Sequence, residues 1–103
     1  MDLNRYVLDD AGLPKPEPDL IAWAQWMGAY DHQIVMREQI GRYRVSTIFL
    51  GSPRNIHADG PPLLWESMVF GGKLDGESDT YATRDEAIVG HARMVERVRE
   101  SML

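Results

Sequence analysis

Apolar positions fall at strand spacing through the middle of the chain and at helical spacing on either side of it. The segments Gln33–Gln39 and Arg42–Leu50 flank Ile40-Gly41 and predict a β-hairpin. A two-residue turn there sets Met36 opposite Val45, Ile34 opposite Thr47 and Glu38 opposite Tyr43 on one side. On the other side Arg37 stands against Arg44 and Val35 against Ser46. Two arginines facing each other are unfavourable unless a carboxylate or an anion lies between them. The next apolar run, Leu63–Phe70, differs in kind. Leu63, Trp65 and Val69 point one way while Leu64, Met68 and Phe70 point the other, and a strand apolar on both sides is one covered on both sides. Glu66 is its single charge, so a register that sets Glu66 beside Arg37 and Arg44 would neutralise the arginine pair. Gly51–Pro62, between these strands, is a twelve-residue loop without regular pattern, and loops of that length in a small domain are usually functional or mobile.

Two helices are predicted. Leu20, Trp23, Ala24, Met27 and Tyr30 share one face, widened by Ile21 and Trp26, giving a helix from about Asp19 to about Tyr30 that Asp31-His32 ends. Pro18 suits its first position and Asp19 complements the helix dipole. Near the C-terminus, Thr83 and Glu86 form a capping box. Ala87, Ile88, His91, Ala92, Val95 and Val98 make the apolar stripe of a helix running from Arg84 to about Glu100. Gly90 inside it costs ~1 kcal/mol against alanine and points to close packing on the sheet. Upstream, Tyr6–Leu8 reads as a short edge strand and Asp9–Gly12 as a turn. Pro14, Pro16 and Pro18 alternate, which predicts an extended polyproline-like arm that pairs with nothing. The expected fold class is therefore α+β: a single domain, residues 1–103, with a proline-rich arm over 1–18 and a body over 19–103. That body holds a three- to four-stranded antiparallel sheet and two helices. The helices either cover opposite faces of the sheet or leave one face to a homodimer.

Composition narrows the function classes. With 103 residues and 44% hydrophobic content, the chain can bury a core without metal or disulfide support. The absence of cysteine removes disulfide frameworks, thiolate nucleophiles and thiolate zinc sites, and suits a cytoplasmic location. No segment approaches a membrane span, and no signal peptide is evident. A net charge of −5 argues against direct nucleic-acid binding and favours a soluble protein or one that meets a basic partner.

Candidate chemistry is sparse. There is no phosphate loop, dinucleotide fingerprint or nucleophile elbow, so neither a cofactor nor an enzyme is expected. The acids of Lys73–Asp79 lack the order of a calcium loop, and His32, His57 and His91 have no metal-ligand spacing. His91, on an apolar helix face, reads as a satisfied core histidine. An acid–base reading would join His57 to Glu66, with Ser46 or Thr47. A binding reading uses Arg37, Arg44 and Arg54 for an anionic ligand such as a nucleotide signal, or for a carboxylate-bearing partner, with Trp65 and His57 offering stacking. Against both stands the plainer expectation that Arg37 and Arg44 neutralise Glu66 and Glu38.

Three stretches carry a resemblance: RVSTIFLG at Arg44–Gly51, GPPLLWESMVFGG at Gly60–Gly72 and YATRDEAIVGH at Tyr81–His91. Together with the proline-rich lead and Trp23–Trp26, the chain resembles a family of small phage and prophage proteins over nearly its whole length. It departs from that pattern at Ser67, where threonine is commoner, and along Ser52–Asp59. The resemblance implies a phage origin and brings no activity with it. The expected role is thus a non-enzymatic accessory protein in the host cytoplasm that binds a host protein, such as a component of a defence system. A small anionic-ligand binder is the alternative.

Overall fold

The computed structural model describes residues 4–29, 33–55 and 59–103. The chain runs β1 (Tyr6–Leu8), β2 (Pro14–Pro16), α1 (Leu20–Gly28), β3 (Ile34–Ile40), β4 (Tyr43–Phe49), β5 (Trp65–Phe70), β6 (Ser78–Tyr81) and α2 (Arg84–Ser101). The expected α+β class holds. β3 to β6 form an antiparallel meander in chain order, and β1 with β2 forms a separate two-stranded sheet.

The proline-rich arm is a correction. Pro14 and Pro16 do pair, opposite Leu8 and Tyr6, with Lys15 opposite Val7. Alternation is what permits it. The flanking ladder bonds run from Asp9 N–H to Leu13 C=O and from Glu17 N–H to Arg5 C=O, which places both prolines at positions whose missing N–H would point away from β1. Nor is the arm detached from the body. Tyr6 N–H donates to Gly51 C=O, Val7 is buried, and Tyr6 and Leu8 pack against Phe49, Leu64 and Trp65.

α1 begins on Asp19, whose carboxylate accepts from Ile21 N–H and Ala22 N–H as an N-cap. Pro18 therefore precedes the cap and does not sit inside the helix. The half-buried side is Ala22, Trp23, Trp26 and Met27, whereas Leu20 and Ile21 are more than half exposed. The expected end of this helix at Tyr30, with Asp31 and His32, lies outside the described residues. Trp23 Nε1–H is shared between Tyr6 C=O and Gly51 C=O, so one indole ties α1, β1 and the end of β4 together.

In the β3–β4 hairpin the turn is Gly41-Arg42, with Gly41 at φ 59°, so Ile40 pairs with Tyr43. The turn needs a positive φ, which glycine accepts and Ile40 would not, so the pairing moves by two positions from the sequence expectation. The two-position shift keeps Met36, Arg37 and Glu38 on their expected faces but changes their partners, whereas Ile34 and Val35 exchange faces: Ile34 comes to the side of Arg37, and Val35 packs against the Phe49 cluster. Met36 now opposes Thr47, Arg37 opposes Ser46, and Arg44 opposes Gln39, so the two arginines stand diagonal to each other. A bulge near Val35 resets the register so that Ile34 pairs with Ile48.

α2 starts on the Thr83–Glu86 capping box, with Glu86 N–H donating to Thr83 Oγ1 at 3.1 Å. It buries Ala87, Gly90, His91, Met94, Val95 and Val98 against the sheet. One cluster joins Tyr43, Val45 and Val69 to Met94, Val95 and Val98. The other joins Phe49, Leu64, Trp65 and Tyr81 to Ala87, with Trp26 edge-on to Phe49 at 5.8 Å. Both helices therefore serve the same side of the sheet. A Cβ on Gly90 would collide with the Tyr81 ring, which accounts for a glycine in mid-helix.

Candidate functional site

The register sorts β3–β6 into an inner face under α2 and an outer face that no described helix covers. Three cross-strand rows make the outer face: Gln39, Arg44 and Phe70; Arg37, Ser46, Met68 and Ser78; Ile34, Ile48, Glu66 and Thr80. Phe70 is 39% exposed, and Ile34, Ile48 and Met68 are half-buried. Of the outward trio expected in Leu63–Phe70, Leu64 instead joins the inner cluster, and Met68 and Phe70 lie on a side that no helix among the described residues covers.

Of the sequence candidates, Arg37, Arg44 and Glu66 share this face. Glu66 is met by Arg54, not by Arg37 or Arg44. Arg54 Nε–H donates to Glu66 Oε2 at 3.2 Å and its Nη2 to Oε1 at 3.0 Å. That bidentate pair folds the start of the long loop over the last row, with Arg54 half exposed and the Glu66 side chain only 12% exposed. Asn55 fastens the same loop, accepting from Leu63 N–H and donating to Pro61 C=O. The Arg44 guanidinium lies 4.9 Å over the Phe70 ring. Trp65 offers no stacking surface. It is an inner-face core residue, 1% exposed, packed at 5.2 Å against Phe49. His57 lies outside the described residues. The acid–base grouping is not brought together either, because Glu66 and Ser46 face outwards and Thr47 faces α2.

Comparison with known proteins adds nothing to this geometry. No family model, curated protein or solved structure matches the chain.

Sequence reasoning singled out His91 but missed its partners. Thr47 Oγ1 lies 2.5 Å from Ser67 Oγ and 2.6 Å from His91 Nδ1, and His91 Nε2 lies 2.9 Å from Glu38 Oε1. With the ring proton on Nε2, every donor is used: Ser67 to Thr47, Thr47 to His91, His91 to Glu38. Glu38 therefore pairs with the imidazole and not with an arginine. Hydroxyl, imidazole and carboxylate in line resemble a nucleophile relay, but Thr47, Ser67 and His91 are all fully buried, out of a substrate's reach. Tyr81 closes the row. Its buried hydroxyl has no hydrogen-bond partner of good geometry, and burial pushes the phenol above its ordinary value, an effect the nearby Ser67 hydroxyl opposes.

Two shallow hollows elsewhere among the described residues carry no convergent chemistry. One of about 320 Å³ is lined by Tyr81, Asp85, Glu86, Val89 and Arg93, and another of about 370 Å³ lies between Gly12 and Arg84. Among the described residues no group of histidines and acids could hold a metal ion. No helix among them is long and apolar enough to cross a membrane.

Proposed function

We propose that this chain is a non-enzymatic binding protein that engages a protein partner through the outer face of its four-stranded sheet. The observation that supports this is the partly exposed set Ile34, Ile48, Met68 and Phe70, which no helix among the described residues covers, bordered by Arg37, Arg44 and Arg54. An exposed apolar patch rimmed by charge is the usual form of a protein-binding surface. The resemblance to small phage proteins supports a host protein of the cytoplasm as the partner, and inhibition of a defence component is one form such binding takes. A small anionic ligand fits less well. Arg54 already spends two donors on Glu66, and Arg44 is stacked on Phe70, so these guanidinium groups do not converge on one point.

Affinity capture from host lysate tests this reading. The wild-type chain and an Ile48→Asp/Met68→Asp variant would be compared, with circular dichroism confirming that the variant is folded. A partner held by the wild type and lost by the variant is the expected result. A partner retained by the folded variant, or a wild type that captures nothing, overturns it.

A further inference from the structure

We infer that the occupant of the outer face is an acidic amphipathic helix of the partner. This rests on the reading of that face as the binding surface and adds the chemistry of what binds there. Charge is the first argument. Arg44 and Arg54 against Glu66 leave a formal +1 on this face among the described residues, in a chain whose net charge is −5. The acids of β6 do not dilute it, because Glu77 and Asp79 are held by Arg97 on the α2 side. The face is thus locally basic on an acidic body, which favours an anionic segment.

Size is the second argument. Four strands at ~4.8 Å spacing span about 14 Å, and three rows two residues apart span about 14 Å along the strands. One helix, ~10–12 Å across with its side chains, fills that area over about three turns. Apolar residues at i, i+3 or i+4, and i+7 would then meet Ile34, Ile48, Met68 and Phe70.

Local chemistry is the third argument. The Arg44 guanidinium occupies one side of the Phe70 ring while its N–H groups stay free of any carboxylate in the described structure. A stacked guanidinium presents a planar fork that suits a carboxylate. The same stacking takes up ring surface that a nucleobase would need, and the acidic body repels a phosphate backbone beyond the patch.

The experiment is selection of a displayed library of random 16-residue peptides on the full chain. Enrichment of sequences with apolar residues at helical spacing and flanking Asp or Glu is expected. Synthesised peptides should gain helicity on binding, and their affinity should fall by about tenfold or more with Arg44→Glu and with rising salt. Phe70→Ala, which leaves the charge in place, should weaken binding as well, and Arg84→Glu on the exposed side of α2 should not. Enriched peptides that are basic or uncharged, the absence of enrichment, or indifference to Arg44→Glu in a folded variant would overturn the inference. So would a dimer in light scattering that Arg44→Glu abolishes. If lysate capture depends on Met68 while the acidic peptides fail to compete, the binding-protein reading stands and this inference alone falls.

Discussion

Replacing Thr47 by valine probes the buried row directly. Valine keeps the shape of threonine but exchanges Oγ1 for a methyl group, removing in one step the contacts to Ser67 Oγ at 2.5 Å and His91 Nδ1 at 2.6 Å. Both orphaned groups belong to fully buried residues, so water cannot replace the lost partner. An unsatisfied buried polar group costs about 1–3 kcal/mol, which for two of them gives roughly 2–6 kcal/mol. Burial of the new methyl returns about 0.8 kcal/mol. Ser67 can turn towards the unpartnered Tyr81 hydroxyl, which removes much of one penalty. The expected destabilisation is therefore about 2–3 kcal/mol, a large share of the ~5–15 kcal/mol total of a small domain. Urea titration followed by circular dichroism and tryptophan fluorescence should show a lower midpoint at unchanged slope. Adding His91→Leu to Thr47→Val should cost less than the sum of the two single changes, because the second change removes a group the first had orphaned. A cost for Thr47→Val below about 0.5 kcal/mol, or strict additivity in the double variant, would refute the claim that these groups satisfy one another.

The same glycine-to-alanine change should act in opposite directions at two helical sites. Gly90→Ala, which drives a Cβ into the Tyr81 ring, should lower stability by about 1–3 kcal/mol, whereas Gly28→Ala, which meets open space, should raise it by about 0.5–1 kcal/mol, both read by urea titration. Tyrosine absorbance in alkali should separate two phenols: the Ser101 hydroxyl and the Lys73 N–H hold Tyr43 below its ordinary value, and burial holds Tyr81 above it. Stability contributed by neutral Tyr81 is complete below about pH 10 and lost as pH rises through its raised folded value, so Tyr81→Phe should delay alkaline unfolding. The depressed Tyr43 works the other way, its contribution being present above about pH 10 and lost as pH falls through the folded value, so Tyr43→Phe should hasten alkaline unfolding. Arg54→Ala should cost no more than about 1 kcal/mol, since one partner of the pair is half exposed; a loss above about 3 kcal/mol would mean Glu66 is far more desolvated than its geometry shows.

Elements whose signals are local were legible in the sequence. The Thr83–Glu86 box sets the start of α2 through bonds that depend on neighbouring residues alone, and Gly90 carried its packing role in its identity. Most strand faces were legible for the same reason, because alternation fixes the side a residue points to without fixing its partner; the exceptions, Ile34, Val35 and Leu64, lie where a bulge or a strand end breaks the alternation. What failed depended on backbone geometry or on tertiary competition. The hairpin register turned on which residue could take a positive φ, and Gly41 decided it. The prolines of β2 read as incompatible with pairing, but the ladder draws no N–H from either position. In α1 the periodic stripe included Leu20, but the two tryptophans and Met27 claimed the packed side by reaching Gly51 and Phe49.

The candidate surface was harder to read for a reason that applies to any mixed strand. Along Arg42–Lys73 polar residues occur on both faces, and the chemistry of a residue does not say whether its face is closed. Thr47 and Ser67 occupy inward positions in rows that are otherwise Val45 and Phe49, or Trp65 and Val69, so burial obliges them to find partners. Two inward hydroxyls, one histidine on the apolar stripe of α2 and the inward Glu38 complete one another's hydrogen bonds, and three of those four positions were legible as inward from their spacing. The arginines obey no such constraint. An outward arginine satisfies itself with water, a carboxylate, an aromatic ring or a partner, and only the fold shows that Arg54 chose Glu66 and Arg44 chose Phe70. The decisive fact, that both described helices go to one side and leave Ile48, Met68 and Phe70 partly exposed on the other, is a property of chain topology that no periodicity encodes. It follows that the doubly apolar strand was the most informative sequence feature. It called for cover on two sides, and the described helices supply it on one.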